Sequence, residues 1–145
     1  MSHSYCANHI HVVFSTKDRQ PNIVEKERMW KYVAAVATRM GVRMVAVGGM
    51  EDHLHVLIAL PSDLTLGKTI NTIKVNSSRW MKPRVPSFAW QRGYAAFSVS
   101  ASNVPAVVAY IEDQERHHAK RDFEAEFIEL LEKHGVEFDP KYVLG

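Results

Sequence analysis

Residues 53–56 alternate between histidine and an apolar side chain, and the apolar run continues to Leu60; this stretch constrains the fold more than any other feature of the chain. Successive side chains on a β-strand point to opposite faces, so the pattern predicts a strand with one apolar face. That face consists of Leu54, Val56 and Ile58. His53 and His55 share the opposite face, about 7 Å apart at a rise of ~3.3 Å per residue. The segment therefore predicts a strand that carries a histidine pair on the side away from a hydrophobic core.

A second segment with the same alternation lies at residues 8–16. Its apolar positions are Ile10, Val12 and Phe14. His9 and His11 occupy the other face of this predicted strand. If the two apolar faces share one core, all four histidines emerge on the opposite face of a common sheet.

The order of the predicted strands and helices indicates the fold. Strands are expected at 8–16, 42–50, 53–60 and within 90–100, and helices at 23–40 and after Thr65. This βαββαβ order is that of the ferredoxin-like or RRM-like unit, an α+β fold with an antiparallel sheet, central first and third strands, and both helices on one face. Asn22 is the expected N-cap of the first helix, and Gly48-Gly49 is the expected site of a bulge. Phe97 and Val99 are the expected inward pair of the fourth strand.

The chain continues beyond that unit with extra C-terminal helices. The first, capped by Ser102 or Asn103, is free to cross the histidine face of the sheet. Tyr110 and Gln114 are four residues apart and therefore lie on one side of this helix. A further amphipathic helix is expected at 123–134 and ends at Gly135. The tail is expected to dock through its apolar residues, which are Phe138, Tyr142 and Leu144.

The tyrosine and the glutamine give the histidine pair a chemical interpretation. If Tyr110 and Gln114 lie over His53 and His55, two imidazoles and an amide oxygen can hold a divalent cation. The phenol of Tyr110 is then placed to attack a phosphodiester and to form a phosphotyrosine. A phenol with a pKa of about 10 also leaves readily, and this reversibility suits strand transfer better than simple hydrolysis. A His-x-His pair alone would be weak support, since such pairs also occur on ordinary strands.

Charge is distributed unevenly along the chain. Residues 64–111 contain no Asp or Glu but six Lys or Arg, whereas residues 112–139 contain ten acids and four bases. The basic stretch is either a footprint for a polyanion or a solvated helix face. Candidate phosphate contacts on the second helix are Lys74, Ser77, Ser78 and Arg79. Ser77 has a packing role as its alternative, and Arg79 a purely solvated one.

Length and composition limit the class of protein. At 145 residues, 46% apolar and 23% charged, the chain is expected to form one soluble domain over residues 1–145. We expect no membrane association, because no apolar run approaches a span of ~18 residues and the N-terminus lacks a signal-peptide pattern. The single cysteine, Cys6, favours a reducing setting. The expected location is cytoplasmic, at the nucleoid.

Five stretches of the chain resemble the IS200/IS605-type single-tyrosine (Y1) transposases of the HUH endonuclease superfamily. They are residues 9–17, 48–57, 73–79, 90–100 and 110–118. The resemblance places His53-Leu54-His55 on the family's histidine motif, Tyr110 on its nucleophile and Gln114 on its third metal ligand. The tail through residues 138–142 is similar to that of the group associated with repetitive extragenic palindromes (REP).

The resemblance also implies an activity and its partners. It implies an enzyme that cleaves and rejoins single-stranded DNA through a 5′-phosphotyrosine, with Mg²⁺ or Mn²⁺ as the cofactor. The implied substrate carries hairpins at the element ends, and the implied assembly is a homodimer. In such dimers the tyrosine helix of one subunit can complete the site of the other, so cis and trans arrangements both stay open.

Two other functions remain as alternatives. A non-catalytic module for single-stranded nucleic acid would use the same sheet face, and a metal-dependent phosphodiesterase would use activated water in place of Tyr110. We interpret His9 and His11 as satisfied sheet histidines, with partnership to the metal ligands or contact with DNA as alternatives. His117 and His118 are expected at the surface or at an interface. Trp90 and Tyr94 are expected to be core residues more often than base-stacking residues.

Overall fold

The computed structural model describes residues 4–119 and 121–141. The strands are β1 (His9–Ser15), β2 (Arg43–Met50), β3 (His53–Ala59) and β4 (Ala95–Val99). The helices are α1 (Lys26–Arg39), α2 (Leu66–Met81), α3 (Val104–Glu112), α4 (Gln114–His118) and α5 (Phe123–Lys133), with short 3₁₀ turns at Lys17–Arg19 and Ala101–Asn103. The predicted docking of Tyr142 and Leu144 lies outside the described residues. None of the described helices is both long and apolar enough to span a bilayer.

The four strands form one antiparallel sheet in the order β2-β3-β1-β4. The central position of β1 and β3 and the α+β fold class are therefore confirmed. In the pairing of β1 with β3, Val12 faces Val56 and Phe14 faces Leu54. Directly opposed residues share a face of the sheet, so the two alternating segments combine into one apolar surface.

The main core lies between that surface and helices α1 and α2. Val12, Phe14, Leu54 and Val56 have no exposed surface there, and Val33 of α1 is equally buried. From β4, however, it is Ala96 that packs against this core. Phe97 and Val99, the predicted inward pair, point to the other side, because they are paired with His11 and His9 of β1. They are packed inward, but into a second layer.

That second layer consists of the C-terminal helices, which cover the histidine face of the sheet. Phe123, Phe127 and Leu131 of α5 pack on Val13 and Phe97. Ile111 of α3 packs on Ala46 and Leu57. The predicted crossing of this face by a helix is confirmed, and the covering is more extensive than expected. As a result, His11, His53 and His55 are buried rather than displayed on an open surface.

Three local predictions have different outcomes. Helix α2 begins directly after Thr65 as predicted, and Thr65 caps it, since its hydroxyl accepts a hydrogen bond from the Lys68 amide at 3.2 Å. The predicted cap at Asn22 is wrong: α1 begins at Lys26, because buried Ile23 pairs its amide with Glu51 O at 2.9 Å and holds the preceding chain extended. The bulge of β2 lies between Met44 and Ala46, not at Gly48-Gly49.

Gly48 instead provides room for α3. A Cβ atom at this position would lie 2.2 Å from the carbonyl oxygen of Ile111, so any side chain here would collide with the helix backbone. Ile111 directly follows Tyr110 in the sequence. The absence of a side chain at Gly48 therefore sets how closely the tyrosine approaches the sheet.

We expect Gly48→Ala to lower the free energy of unfolding by about 1–3 kcal/mol, the usual effect of overpacking. The reason is that the backbone of α3 must retreat from β2. Urea denaturation measures the change, and Gly67→Ala is the matched control, because the nearest atom to its Cβ position is the Tyr94 hydroxyl at 3.8 Å. Equal losses in the two variants would show that the close approach of α3 does not constrain the fold.

Candidate active site

Both histidines of β3 have one ring nitrogen held by a neighbour. His53 Nδ1 donates to Asp52 Oδ1 at 2.7 Å, and His55 Nδ1 lies 2.8 Å from His11 Nε2. Both β3 rings are fully buried. Their Nε2 atoms therefore face the space beneath the C-terminal helices. Holding one imidazole nitrogen in this way is how proteins orient histidines that bind metals through the other nitrogen.

Tyr110 and Gln114 reach these rings from the helical layer that covers the sheet. The prediction that the two residues share one continuous helix is wrong. Asp113 leaves the helical region (φ −110°, ψ 35°), so α3 ends before it and α4 begins after it. Aspartate favours helix starts over helix interiors, which is consistent with a break at this residue. Across the break, Gln114 Nε2 donates to Tyr110 O at 3.1 Å, and Gln114 Oε1 lies 3.1 Å from His53 Nε2. The structure thus brings His53, His55, Tyr110 and Gln114 together, while their chemical roles stay predictions.

Glu126 of α5 lies at the centre of this cluster, and sequence reasoning missed it. Its carboxylate is fully buried. Oε1 lies 2.9 Å from His55 Nε2 and 3.5 Å from His53 Nε2, and Oε2 accepts a hydrogen bond from the Tyr110 hydroxyl. A local signal was present: Glu126 interrupts the apolar face that Phe123 and Phe127 define on this helix. An acid on the buried face of an amphipathic helix requires a partner in the interior.

Two further histidines belong to the site, although the preferred interpretation of each was a different one. His118, expected at the surface, has its Nε2 3.0 Å from Gln114 Oε1 and 3.1 Å from Glu126 Oε1. Its position one helical turn after Gln114 brings it to the same side. His11 acts as the partner of His55 rather than as an ordinary sheet histidine. His117 keeps some exposure, and its ring centroid lies 4.6 Å from that of Tyr110.

The donor set fits a divalent cation. One ligand atom from each of His53, His55 and Glu126 can be chosen so that all lie within 4.8 Å of one another. The amide of Gln114 is oriented by its bond to Tyr110, so its oxygen faces His53 Nε2. Because His53 Nδ1 is held by Asp52, its Nε2 atom faces that oxygen and the carboxylate. Imidazole nitrogens and oxygens that face one another in this way suit a divalent metal.

The pKa values of the residues in this cluster favour the binding of a cation. Burial lowers the pKa of His55 to about 4, and burial together with the nearby His55 lowers the pKa of His11 to about 3. Burial alone raises the pKa of Glu126, but hydrogen bonds from His118 and His55 outweigh it and hold that pKa below its usual range. Burial and the hydrogen bond to Glu126 raise the pKa of Tyr110. At neutral pH, His55 is therefore uncharged, Glu126 is ionised and Tyr110 keeps its proton.

These lowered pKa values predict acid sensitivity in the metal-free protein. The unfolded chain takes up protons on His11 and His55 below a pKa of 6.5, whereas the folded chain does so only near pH 3 and 4. The unfolded state therefore binds more protons in this window, and stability falls as the pH drops from 6.5 towards 4. We expect a loss on the order of 2–4 kcal/mol between pH 7.5 and pH 5.

Urea denaturation in EDTA at several pH values measures this loss. His11→Asn removes one of the two titrating rings and is expected to abolish roughly half of the pH dependence. His9→Asn, on the same strand, is the control for loss of a histidine. A pH dependence that His11→Asn leaves unchanged would contradict the assignment of the acid sensitivity to this pair.

The four predicted phosphate contacts on α2 do not form one surface. Lys74 is half-buried and donates to Gln91 O at 3.0 Å and to Gly93 O, and burial lowers its pKa to about 8. Ser77 is fully buried. Its hydroxyl donates to Ile73 O and accepts from Trp90 Nε1.

The remaining candidates on and near α2 have different surroundings. Arg79 is exposed and Ser78 is partly exposed, so their contact with DNA stays a prediction. Trp90 packs against Phe14 with its ring centroid 4.8 Å away, which agrees with its predicted core role. Tyr94, by contrast, is 37% exposed.

Comparison with known proteins identifies the family. The sequence profile described as "Transposase IS200 like" matches residues 4–114, which include both histidines, Tyr110 and Gln114 but not Glu126. A search of curated proteins finds no match.

Two solved structures have a similar fold. One is a candidate transposase from Deinococcus radiodurans R1, with a TM-score of 0.61, 22% identity, and coverage of 79% of this chain and 96% of that chain. The other is a REP-associated tyrosine transposase bound to a REP hairpin, with a TM-score of 0.58, 15% identity, and coverage of 77% of this chain and 70% of that one. At these identities the similarity concerns the fold, and the profile match carries the assignment. Because that match spans most of the sequence, the chain belongs to the IS200-like transposase family.

Proposed function

We propose that this transposase is a metal-dependent enzyme that cleaves and rejoins single-stranded DNA through a 5′-phosphotyrosine on Tyr110. The observation that carries the proposal is the double contact of Glu126. One of its oxygens faces the two histidine Nε2 atoms, and the other accepts the hydrogen bond of the Tyr110 hydroxyl. A nucleophile and a cation site are thereby joined by one buried side chain.

The residues that would hold the cation are His53, His55 and Glu126, with the amide oxygen of Gln114 nearby. Mg²⁺ and Mn²⁺ are the proposed ions, since both accept oxygen ligands, and Mn²⁺ also accepts imidazole readily. When bound, the ion polarises a phosphodiester oxygen and offsets the charge that develops there. Asp52 would hold the ring of His53 in position through His53 Nδ1, and His11 would hold the ring of His55 through His55 Nδ1.

Tyr110 carries the covalent step. Its phenol oxygen forms a bond to phosphorus, the bond from phosphorus to the 3′ oxygen breaks, and a 3′-hydroxyl leaves with a proton. Glu126 Oε2 accepts the hydrogen bond of the phenol and is therefore placed to receive its proton. Attack of a 3′-hydroxyl on the phosphotyrosine reverses these bond changes and rejoins the strand.

The proposed substrate is single-stranded DNA that carries a hairpin near the cleavage site. Two observations support it: a similarly folded transposase was solved with a REP hairpin, and residues 64–111 of this chain carry six bases and no acid. Exposed bases on or next to α2, which include Lys68, Arg79 and Lys82, are available to phosphates. The proposed assembly is a homodimer. The contact of Tyr110 with Glu126 of the same chain supports a site built within one subunit.

An adduct assay tests the proposal. Hairpin oligonucleotides from the DNA that flanks the gene, labelled at the 3′ end, are incubated with the protein in Mg²⁺, in Mn²⁺ or in EDTA. A 5′-phosphotyrosine retains the label, so we expect a labelled band at the mass of protein plus DNA on a denaturing gel, in metal only. Cleavage without that band would favour a phosphodiesterase that uses water. Binding without cleavage would favour a non-catalytic module, and either result would overturn the mechanism.

A further inference from the structure

A cavity of about 390 Å³ lies between α3 and α5, and the mechanism above does not use it. Tyr110 and His11 line it on one side, Val107 and Leu130 are among its apolar walls, and Lys133 and His134 lie where α5 ends. Two other clefts, of about 320 and 350 Å³, are not lined by Tyr110. The cavity therefore adjoins the proposed nucleophile directly.

The walls of the cavity suit a flat, partly apolar group. The ring of His134 stacks on Phe97 with centroids 4.2 Å apart and planes at 23°, and its Nδ1 donates to Leu130 O at 2.8 Å. This ring is thus held at the cavity rather than free to rotate. Bases stack on such rings without strong sequence preference. The volume is at the lower end of the range for ligand pockets, which fits one nucleotide.

Charge at the rim suits a phosphate. Arg121 and Glu129 form an ion pair beside the cavity. Lys133 is exposed, and among residues 4–119 and 121–141 its ammonium has no hydrogen bond or ion pair. A lysine ammonium without such contacts can bind a phosphate without first breaking a contact.

We propose that this cavity receives the nucleotide next to the phosphate that Tyr110 attacks. The base lies against the His134 ring, and the following phosphate lies at Lys133. This assignment rests on the proposed function, and it adds a binding site for one nucleotide of single-stranded DNA.

Fluorescence anisotropy in EDTA tests the assignment without cleavage. The probes are labelled (dT)12 and a 12-mer of abasic deoxyribose phosphates. Ala106→Trp fills the cavity from an exposed position and is expected to weaken binding of (dT)12 about tenfold, with little effect on the abasic strand. Ala109→Trp is the matched control, since Ala109 is exposed on the same helix but does not line the cavity. Val107→Phe is a second, milder filling variant.

The salt dependence of binding tests the phosphate contact. Lys133→Gln is expected to reduce the slope of log affinity against log salt by about 0.7 for both probes, the value for one phosphate of a single strand. Lys31→Gln, an exposed lysine on α1, makes the same change of charge elsewhere and should leave the slope unchanged. Wild-type behaviour of both filling variants, or equal slopes for the two lysine variants, would overturn the assignment.

The two failures are distinguishable. If the variants behave as expected but no metal-dependent adduct forms, the nucleotide site remains and the proposed mechanism falls. If the adduct forms and the cavity variants bind like the wild type, the mechanism remains and the cavity holds no nucleotide.

Discussion

Tyr110→Phe is expected to reduce formation of the covalent protein–DNA adduct by at least about 10³-fold, because no other group replaces a lost nucleophile. The substitution removes only the hydroxyl that donates to Glu126. The ring contacts remain available, since the centroid of Tyr110 lies 5.8 Å from that of His55 and 4.6 Å from that of His117. Folding and DNA binding are therefore expected to persist. The 3′-label gel assay measures the adduct, and anisotropy in EDTA measures binding.

Tyr32→Phe is the matched control for this variant. Tyr32 also loses a hydroxyl, but its ring stacks on Trp80 on the other side of the sheet. We expect wild-type amounts of adduct from it. Persistence of the adduct in Tyr110→Phe would identify a different nucleophile, and persistence of cleavage alone would favour activated water.

Glu126→Gln is expected to weaken Mn²⁺ binding by about 10–100-fold or more, as loss of a ligand or of its close partner does. The amide has the size of the carboxylate but lacks its charge, and it turns either an NH₂ group or a weaker oxygen towards the histidine Nε2 atoms. Adduct formation should fall further than metal affinity at saturating Mn²⁺, because the proton acceptor of Tyr110 is lost as well. Calorimetric titration with Mn²⁺ measures the affinity.

Two further variants serve as comparisons for the Mn²⁺ affinity of Glu126→Gln. Glu132→Gln makes the same change at an exposed position of α5 and should bind Mn²⁺ like the wild type. Gln114→Ala removes the ligand that the family resemblance assigns. Comparison of its Mn²⁺ affinity with that of Glu126→Gln shows which of the two side chains contributes more to metal binding. Wild-type affinity in Glu126→Gln would mean that the histidines and Gln114 hold the ion without Glu126.

The sheet was predictable because its signals are local. The alternation in β1 and β3 fixes which side chains share a face, and the βαββαβ order then limits the strand arrangement. The start of α1 was not predictable from Asn22, because the decisive contact is the long-range pairing of Ile23 with Glu51. Phe97 was assigned to the core correctly but to the wrong layer, since α5 supplies its partners from a distant part of the chain.

The same distinction explains which site residues the sequence could reveal. The His-x-His spacing and the Tyr110–Gln114 spacing are local, and the structure brings those four residues together. Spacing places His118 one turn after Gln114 and His11 on the histidine face, but their contacts with Glu126 and His55 depend on how separate elements pack. The partial burial of Lys74 was not predictable for a similar reason: the carbonyl groups that it contacts belong to the loop before β4.

The position of Glu126 in the sequence also sets when the site can form during synthesis. A growing chain that has passed Ala59 already contains both histidines, but the carboxylate follows 67 residues later. At about 5–20 residues per second, that delay is about 3–13 seconds. For the first 51 of these residues Tyr110 is missing as well, and for the last 16 the nascent protein contains His53, His55 and Tyr110 without the carboxylate that joins them. Under the proposed mechanism, the ribosome therefore releases a strand-cutting activity only after α5 has been made.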